Sequence, residues 1–304
     1  MKTKTSRKNA ARRQSGFTMI ELMLVCAILA LVLGSVFQGI RTVTQRSQAE
    51  QVKVDLTQSA REFVDEFERD LHQAGYPNCR MVATPGIPNN CPADNSSLAQ
   101  AQVASNPALA VGLVYVDNTR IVFEGDMEGD GNVESVEYKL VDANGANPPA
   151  NCPCTLQRSQ IPKPTAPQVV PWGPMVRPFY QELQNVVNSG QPGGQNPYGG
   201  GVPITGNTAW GASNTAYYAA LTTFKDYPVF QAYDQFGSIV PLPVDLSVPA
   251  STPTLTCSIG NISCIKSIRI TINLLADATT GVDMQTKVRP VTTLVGSARL
   301  VNNF

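Results

Sequence analysis

The sequence predicts an α+β protein, in which one long N-terminal α-helix packs on a mainly antiparallel β-sheet head with long loops. Three observations support this fold class. An apolar run with one charged residue continues into an amphipathic helical pattern, short β-branched and aromatic segments follow, and the Gly and Pro residues, 23 of each, concentrate between 144 and 211. With 304 residues, 42% hydrophobic and 15% charged, the chain can bury a sizeable core.

The first 16 residues are a basic leader. They contain no acid and six basic residues, namely Lys2, Lys4, Arg7, Lys8, Arg12 and Arg13. From Phe17 onward 17 basic residues stand against 23 acidic ones, a net charge of −6. A mature chain with this charge is a poor ligand for nucleic acid, so no nucleic-acid partner is expected.

The apolar run at 17–40 predicts a transmembrane helix. Its 24 residues would extend about 36 Å as an α-helix, which is enough to cross a bilayer. No small-x-small cleavage site follows the run, so we expect it to stay with the protein. The basic leader places the N-terminus in the cytoplasm and the bulk of the chain on the other side.

An amphipathic helix is predicted to continue to Ala74. Apolar residues recur at spacings of three or four: Val52, Leu56, Ala60, Phe63, Phe67 and Leu71. Gly75 can adopt the left-handed conformation that ends a helix, and Pro77 prevents its continuation. His72, the only histidine, lies in the last turn, where a structural role is expected rather than a catalytic one.

The remaining chain, 76–304, reads as a β-rich head. The predicted strands are ALAVGLVYVD, RIVFEGD, VESVEYKLVD, PVFQAYDQFGSIVPL, IKSIRITINLLAD and VRPVTTLVGSARLVN. A Gly- and Pro-rich insertion at 143–211 interrupts them, and its segment FYQELQNVVN is compatible with one helix. A flexible surface excursion is favoured for the insertion, and an adhesive or subunit-contact surface is the alternative.

Glu21 is the one carboxylate inside the apolar run. A carboxylate in hydrocarbon costs about 3 kcal/mol on insertion scales, so we expect it to face a partner rather than lipid. A positively charged group on a second chain would satisfy it and would also fix the axial register between the two helices.

The segment GFTMIEL after a basic leader resembles the prepilin signature of type IV pilins and type II secretion pseudopilins. The resemblance implies that a membrane prepilin peptidase cuts after Gly16 and that the new N-terminal Phe17 is N-methylated. It also implies that Glu21 is the assembly residue and pairs with the Phe17 amine of a neighbouring subunit. The midway proline of many shaft pilins is missing, and only Gly34, Ser35 and Gly39 could loosen the helix.

The order of segments in the head is similar to that of PilW-like minor pilins and of the related J-type pseudopilins. This resemblance implies the type IV pilin fold, with 1–16 as a cleaved leader, 17–40 as the transmembrane helix, 41–75 as a periplasmic helix and 76–304 as the head. It implies a minor pilin that helps to assemble or prime pili with other major and minor pilins, located in the inner membrane and then in the pilus.

Two other functions remain open. A J-type pseudopilin of a type II secretion system would differ only in its partners. A signal-anchored periplasmic binding or adhesive protein would never polymerise. The chain contains no GxSxG, HExxH, P-loop or dinucleotide motif, so no enzymatic activity is expected.

Six cysteines follow the apolar run and are candidates for disulfides: Cys79, Cys91, Cys152, Cys154, Cys257 and Cys264. Local spacing favours pairing Cys79 with Cys91 and Cys257 with Cys264. A bridge between Cys152 and Cys154 would be strained, and reading the same CPC segment as half of a metal site lacks a second CxxC or a nearby His.

The segment DMEGDGNVESVE nearly matches a calcium-binding loop. Its oxygen-bearing candidates are Asp126, Glu128, Asp130, Asn132 and Glu137. An acidic, Gly-rich hairpin turn explains the same letters, because strands rather than helices are predicted on both sides. Calcium is therefore the only cofactor that the sequence suggests.

Overall fold

The computed structural model describes residues 18–78, 107–149, 152, 154–163, 177–188, 227–245, 264–276 and 291–301. They form one helix, α1 (Met19–Gln73), followed by ten strands. The strands are β1 (Leu113–Val116), β2 (Arg120–Gly125), β3 (Glu134–Val141), β4 (Cys154–Pro162), β5 (Tyr180–Val186), β6 (Phe230–Tyr233), β7 (Ile239–Val240), β8 (Val244–Asp245), β9 (Ser267–Leu275) and β10 (Val291–Arg299).

All ten strands belong to one antiparallel sheet. Nine of them follow the order β7-β6-β9-β5-β4-β3-β2-β1-β8, and β10 pairs with β9 off this path. The β9–β10 pairing runs in register along the whole length of both strands, from Val291 opposite Leu275 to Arg299 opposite Ser267. The α+β fold class predicted from the sequence, with a long N-terminal helix and an antiparallel sheet, is confirmed.

The chain divides into two compact units, Met1–Ser47 and Gln48–Phe304. The described part of the first unit is the N-terminal portion of α1, in which every side chain that the structure describes is exposed. The second unit contains the rest of α1 and the sheet. Its core joins the buried stripe of α1 to one face of the sheet.

The buried stripe of α1 consists of Ala60, Phe63, Val64, Phe67 and Leu71, and Ala74 directly after the helix is also buried. Its aromatic rings meet Tyr138 of β3 edge to face, with centroids 5.7 Å from Phe63 and 5.3 Å from Phe67. Such pairs stabilise a core beyond the apolar area that they bury. The predicted stripe is therefore correct in this part of the helix, whereas Val52 and Leu56 are only partly buried.

The helix ends where the sequence predicts. Gly75 has φ = 78°, a left-handed value that residues other than glycine rarely adopt. Its amide donates to the Glu124 carbonyl at 2.8 Å, and the Asp126 amide donates to the Tyr76 carbonyl at 2.8 Å. The residues that end α1 are thus hydrogen-bonded directly to the end of β2.

One secondary-structure prediction was wrong. The segment FYQELQNVVN contains strand β5 rather than a helix, with Leu183 opposite Leu156 of β4 and both side chains buried. Strand β4 lies in the part of the chain that the sequence assigned to the insertion, so the insertion contributes two central strands. Pairing between β3, β4 and β5 outweighed the local helical pattern.

Asn188, two residues after β5, is hydrogen-bonded to the backbone of β9. Its Nδ2 donates to the Thr271 carbonyl at 3.1 Å, and its Oδ1 accepts from the Asn273 amide at 2.7 Å. The side chain is fully buried. It therefore attaches the segment that follows β5 to the backbone of β9.

Candidate functional site

The start of α1 is closed by a reciprocal pair of hydrogen bonds. The Glu21 amide donates to Thr18 Oγ1, and the Thr18 amide donates to Glu21 Oε2, each at 3.4 Å. This is the capping-box arrangement, which satisfies amides that have no partner within the helix. Glu21 itself is exposed, so the box fixes its carboxylate at the first turn while leaving it accessible.

The helix after Glu21 presents apolar side chains to its surroundings. For the large apolar residues of the run after Glu21, the exposed fractions lie between 76% for Leu31 and 46% for Leu33. By length and composition α1 is able to cross a membrane. Exposing this apolar surface to water is unfavourable, so the apolar N-terminal part of α1 indicates a membrane anchor.

Gly16 and Phe17, the predicted cleavage and methylation positions, lie outside the described residues. Cleavage after Gly16 and methylation of Phe17 therefore stay predictions.

A polar cluster fixes the other half of α1 on the sheet. The Tyr138 hydroxyl donates to Asp70 Oδ2 at 2.8 Å, and Arg158 reaches the same oxygen with Nη2 at 2.7 Å. Arg158 Nε also lies 3.6 Å from the Glu66 carboxylate. Burial and the Asp70 carboxylate raise the pKa of Tyr138, so its phenol stays protonated and able to donate.

Sequence reasoning missed this cluster. Asp70 is three residues after Phe67 and seven after Phe63, which places it on the buried face of the helix. A carboxylate at such a position signals a buried partner. Its partners, Tyr138 and Arg158, are distant in sequence and could not be identified from spacing.

Strand β10 approaches α1 closely at Gly296. A Cβ built on Gly296 would collide with Val64 Cγ1 and lie 2.8 Å from Glu68 Oε1. The next amide, that of Ser297, donates to Glu68 Oε1 at 2.8 Å. Glycine therefore permits this contact, and Glu68 satisfies a backbone donor of β10.

The acidic turn between β2 and β3 is organised by Asp126. Its two carboxylate oxygens accept from the amides of Gly129, Asp130 and Gly131 at 2.7, 3.1 and 3.0 Å. The Asn132 backbone amide donates to Asp130 at 2.9 Å and its side-chain amide donates at 2.8 Å, and these two bonds from Asn132 lower the pKa of Asp130. The carboxylates of Asp126 and Asp130 thus accept hydrogen bonds from the turn's own backbone.

The fifth predicted calcium ligand, Glu137, is engaged elsewhere. Its carboxylate lies 2.8 Å from Arg120 Nε and 3.4 Å from Arg177 Nε. Glu128 accepts from Gln160 Nε2 at 3.1 Å. Within the described ranges no three His, Cys, Asp or Glu residues are grouped to hold a metal ion. Calcium binding stays a prediction, with four of its candidate residues in the turn and Glu137 on β3.

Cys152 and Cys154 form a disulfide with a Cα–Cα distance of 4.4 Å, and both are buried. This places the bridge at the start of β4. Cys79, Cys91 and Cys257 lie outside the described residues, whereas Cys264 lies shortly before β9. The two remaining cysteine pairs therefore stay predictions.

Residues 11–37 match the model of the family described as the prokaryotic N-terminal methylation motif. The match includes Gly16, Phe17 and Glu21, so it covers the signature that the sequence analysis singled out. No curated protein and no solved structure matches the chain. The family match thus concerns the N-terminal segment, whereas the description of the head is based on the structure alone.

Proposed function

We propose that the chain is a minor pilin. The premise is that residues 11–37 carry the type IV prepilin-like signal, which indicates a type IV pilin-like or pseudopilin protein. As a minor pilin the chain helps to assemble or prime type IV pili, and its N-terminal helix packs against the helices of other pilins. The prepilin-type motif implies processing by a prepilin peptidase and assembly with other pilins. Such work is structural rather than enzymatic.

The observation that carries the proposal is the exposed Glu21 carboxylate at the start of an exposed apolar helix. Cleavage after Gly16 creates an ammonium group on Phe17. In hydrocarbon an unpaired carboxylate is costly, and the Phe17 ammonium of a neighbouring subunit offers it a partner. The capping box holds Glu21 in the first turn of α1, close in sequence to that new terminus.

The same premise gives a location. The basic leader stays in the cytoplasm, α1 crosses the inner membrane once, and the head lies in the periplasm. After processing the subunit moves into a pilus. A head that faces the oxidising periplasm accords with the Cys152–Cys154 disulfide.

Replacing Glu21 tests the proposal. In cells that carry the variant Glu21→Ala as their only copy, we expect the chain to insert into the membrane and be processed, but surface pili to be lost. Glu62→Ala is the matched control, because Glu62 is an exposed carboxylate on the same helix. Normal piliation in the Glu21→Ala strain would favour an anchored protein that does not polymerise.

Mass spectrometry of the membrane-extracted protein tests the premise independently. We expect an N-terminal peptide that begins at N-methylated Phe17. A chain with Met1 still attached, or one lacking the whole apolar segment, would contradict the pilin interpretation.

A J-type pseudopilin remains the alternative, because the motif at residues 11–37 is compatible with both systems. Crosslinking in cells followed by purification separates them. Recovery of pilus subunits supports the minor pilin, and recovery of secretion-system components supports the pseudopilin.

A further inference from the structure

The face of the sheet that is turned away from α1 carries a row of polar side chains. Tyr138 points toward α1, so its neighbours on β3, Glu137 and Lys139, point to the opposite face. Residues paired across strands share a face. The row that includes Lys139 is Arg120 on β2, Lys139 on β3, Gln157 on β4 and Gln181 on β5.

Two cations lie directly opposite each other in this row. Arg120 pairs with Lys139 in the β2–β3 register, an arrangement that destabilises a sheet unless the charge is compensated. The nearest carboxylate, Glu137, is bonded to Arg120 Nε at 2.8 Å and is also 3.4 Å from Arg177 Nε. Arg120, Arg177 and Lys139 therefore share the Glu137 carboxylate, so these four side chains together carry an excess of two positive charges.

Two further acids with described side chains, Glu124 and Asp117, make no ion pair with Arg120 or Lys139. Glu124 is paired with Lys163 at 2.7 Å, and both side chains are fully buried. Asp117 accepts from the Tyr115 hydroxyl at 2.7 Å and from the Thr119 and Arg120 amides at 2.6 Å each. Neither carboxylate is directed to Lys139.

The Lys139 ammonium has hydrogen-bond donors that no described residue uses. Its Nζ lies 3.5 Å from the centroid of the Phe179 ring and makes no hydrogen bond to any described residue. Burial lowers the pKa of Lys139, and Arg120 and Arg177 lower it further against the opposing effect of Glu137. Arg120 bonds to Glu137 through Nε. Its terminal nitrogens make no hydrogen bond within the described ranges.

An unpartnered hydroxyl lies beside this cluster. Ser159 is paired with Glu137 in the β3–β4 register, so both side chains are on the face that carries the cations. Its Oγ is fully buried and has no hydrogen-bond partner in the described part of the chain. Buried hydroxyls are normally hydrogen-bonded, so the Ser159 hydroxyl is a further group on this face that is able to form a hydrogen bond.

We propose that Arg120 and Lys139 form a binding site for a phosphate monoester group on the face of the sheet that is turned away from α1. A phosphate monoester carries between about −1.5 and −2 charges at neutral pH, which matches the excess of two positive charges. Its oxygens accept hydrogen bonds from the Lys139 ammonium and from the terminal nitrogens of Arg120. Gln157 and Gln181 extend the row of polar groups beyond Lys139. This site is independent of the assembly function.

Thermal unfolding of the full-length chain in detergent tests the proposal. At constant ionic strength, inorganic phosphate at ten times its dissociation constant is expected to raise the midpoint by about 3 °C. Glucose 1-phosphate tests the same group borne on a sugar. Acetate carries a carboxylate with a single charge, and we expect it to have a smaller effect at the same concentration.

The variant Lys139→Gln keeps the polar chain and removes the charge, so the phosphate shift should disappear. Lys53→Gln is the control, because Lys53 is exposed on α1 and distant in sequence from the row. Equal phosphate shifts in both variants would overturn the proposal, as would no shift in the unaltered chain. An acetate shift equal to that of phosphate would refute the assignment to a phosphate group.

If Lys139→Gln fails to fold, Arg120→Gln and equilibrium dialysis with labelled phosphate give a second test. We expect binding to the unaltered chain and at least tenfold weaker binding to Arg120→Gln. Equal binding by the two proteins would refute the site.

Discussion

The Tyr138 hydroxyl donates a 2.8 Å hydrogen bond to Asp70 Oδ2, which links β3 to α1 across 68 residues of sequence. Arg158 of β4 donates to the same oxygen. One carboxylate oxygen of α1 thus binds side chains from two neighbouring strands. This contact fixes both the rotation of the helix and its position along the sheet.

Replacing Asp70 with Ala is expected to destabilise the head by about 3 kcal/mol, because Arg158 would lose its buried partner. Urea denaturation followed by circular dichroism measures the change. Asp65→Ala is the control, since Asp65 is exposed on the same helix, and it should change the free energy of unfolding by no more than about 0.5 kcal/mol. Equal losses in the two variants would show that the buried cluster contributes nothing specific.

Replacing Gly296 with Val tests the close contact between β10 and α1. Added side-chain atoms would collide with Val64 and press on the Glu68 carboxylate. We expect a loss of about 2 kcal/mol in the free energy of unfolding, the usual cost of overpacking. Ser297→Ala keeps the backbone amide that donates to Glu68, so it serves as the control and should have little effect. Full stability of Gly296→Val would mean that β10 does not pack against α1 as described.

The pH dependence of stability tests the environment of Glu134. Burial raises the pKa of Glu134 above 4.5, and the charges of Asp126, Asp130 and Glu128 act in the same direction. The folded state therefore holds this proton more tightly than the unfolded state. The contribution of Glu134 to stability is largest below pH 4.5 and declines as the pH rises through its raised pKa.

Glu134→Gln removes that titration and keeps an oxygen to accept the Met127 amide, which now donates to Glu134 at 2.8 Å. We expect the variant to lose less stability than the unaltered protein as the pH rises from 4.5. Urea midpoints over this pH range provide the comparison. Parallel curves for the two proteins would show that Glu134 titrates alike in both states.

The calcium prediction is tested by adding Ca²⁺ to chelator-treated protein. If the ion uses carboxylates of the acidic turn, the melting midpoint should rise with Ca²⁺ concentration, and Asp130→Asn should weaken the effect. Asp234→Asn is the control, because Asp234 also organises a turn through backbone amides but belongs to the β6–β7 hairpin. An unchanged midpoint would identify the segment as a plain hairpin turn.

Local patterns determined much of the fold. Charge and hydropathy defined the leader and the apolar helix, and the glycine and proline after Ala74 marked the end of α1. Alternation identified β3 and β9, because one face of each strand is apolar. It failed for β4 and β5. In β4 the polar residues Gln157 and Arg158 are partly buried, and in β5 the first three residues are all exposed, so neither strand shows a simple apolar and polar alternation.

The sequence by itself determined the prepilin-type N-terminus, since a basic leader, Gly16, Phe17 and Glu21 are adjacent and need no distant partner to be recognised. Only the tertiary structure decided which polar groups meet: Asp70 with Tyr138 and Arg158 on one face of the sheet, and Arg120 with Lys139 on the other. The physical reason is that strand register brings together residues far apart in the chain, and register depends on the packing of the whole sheet.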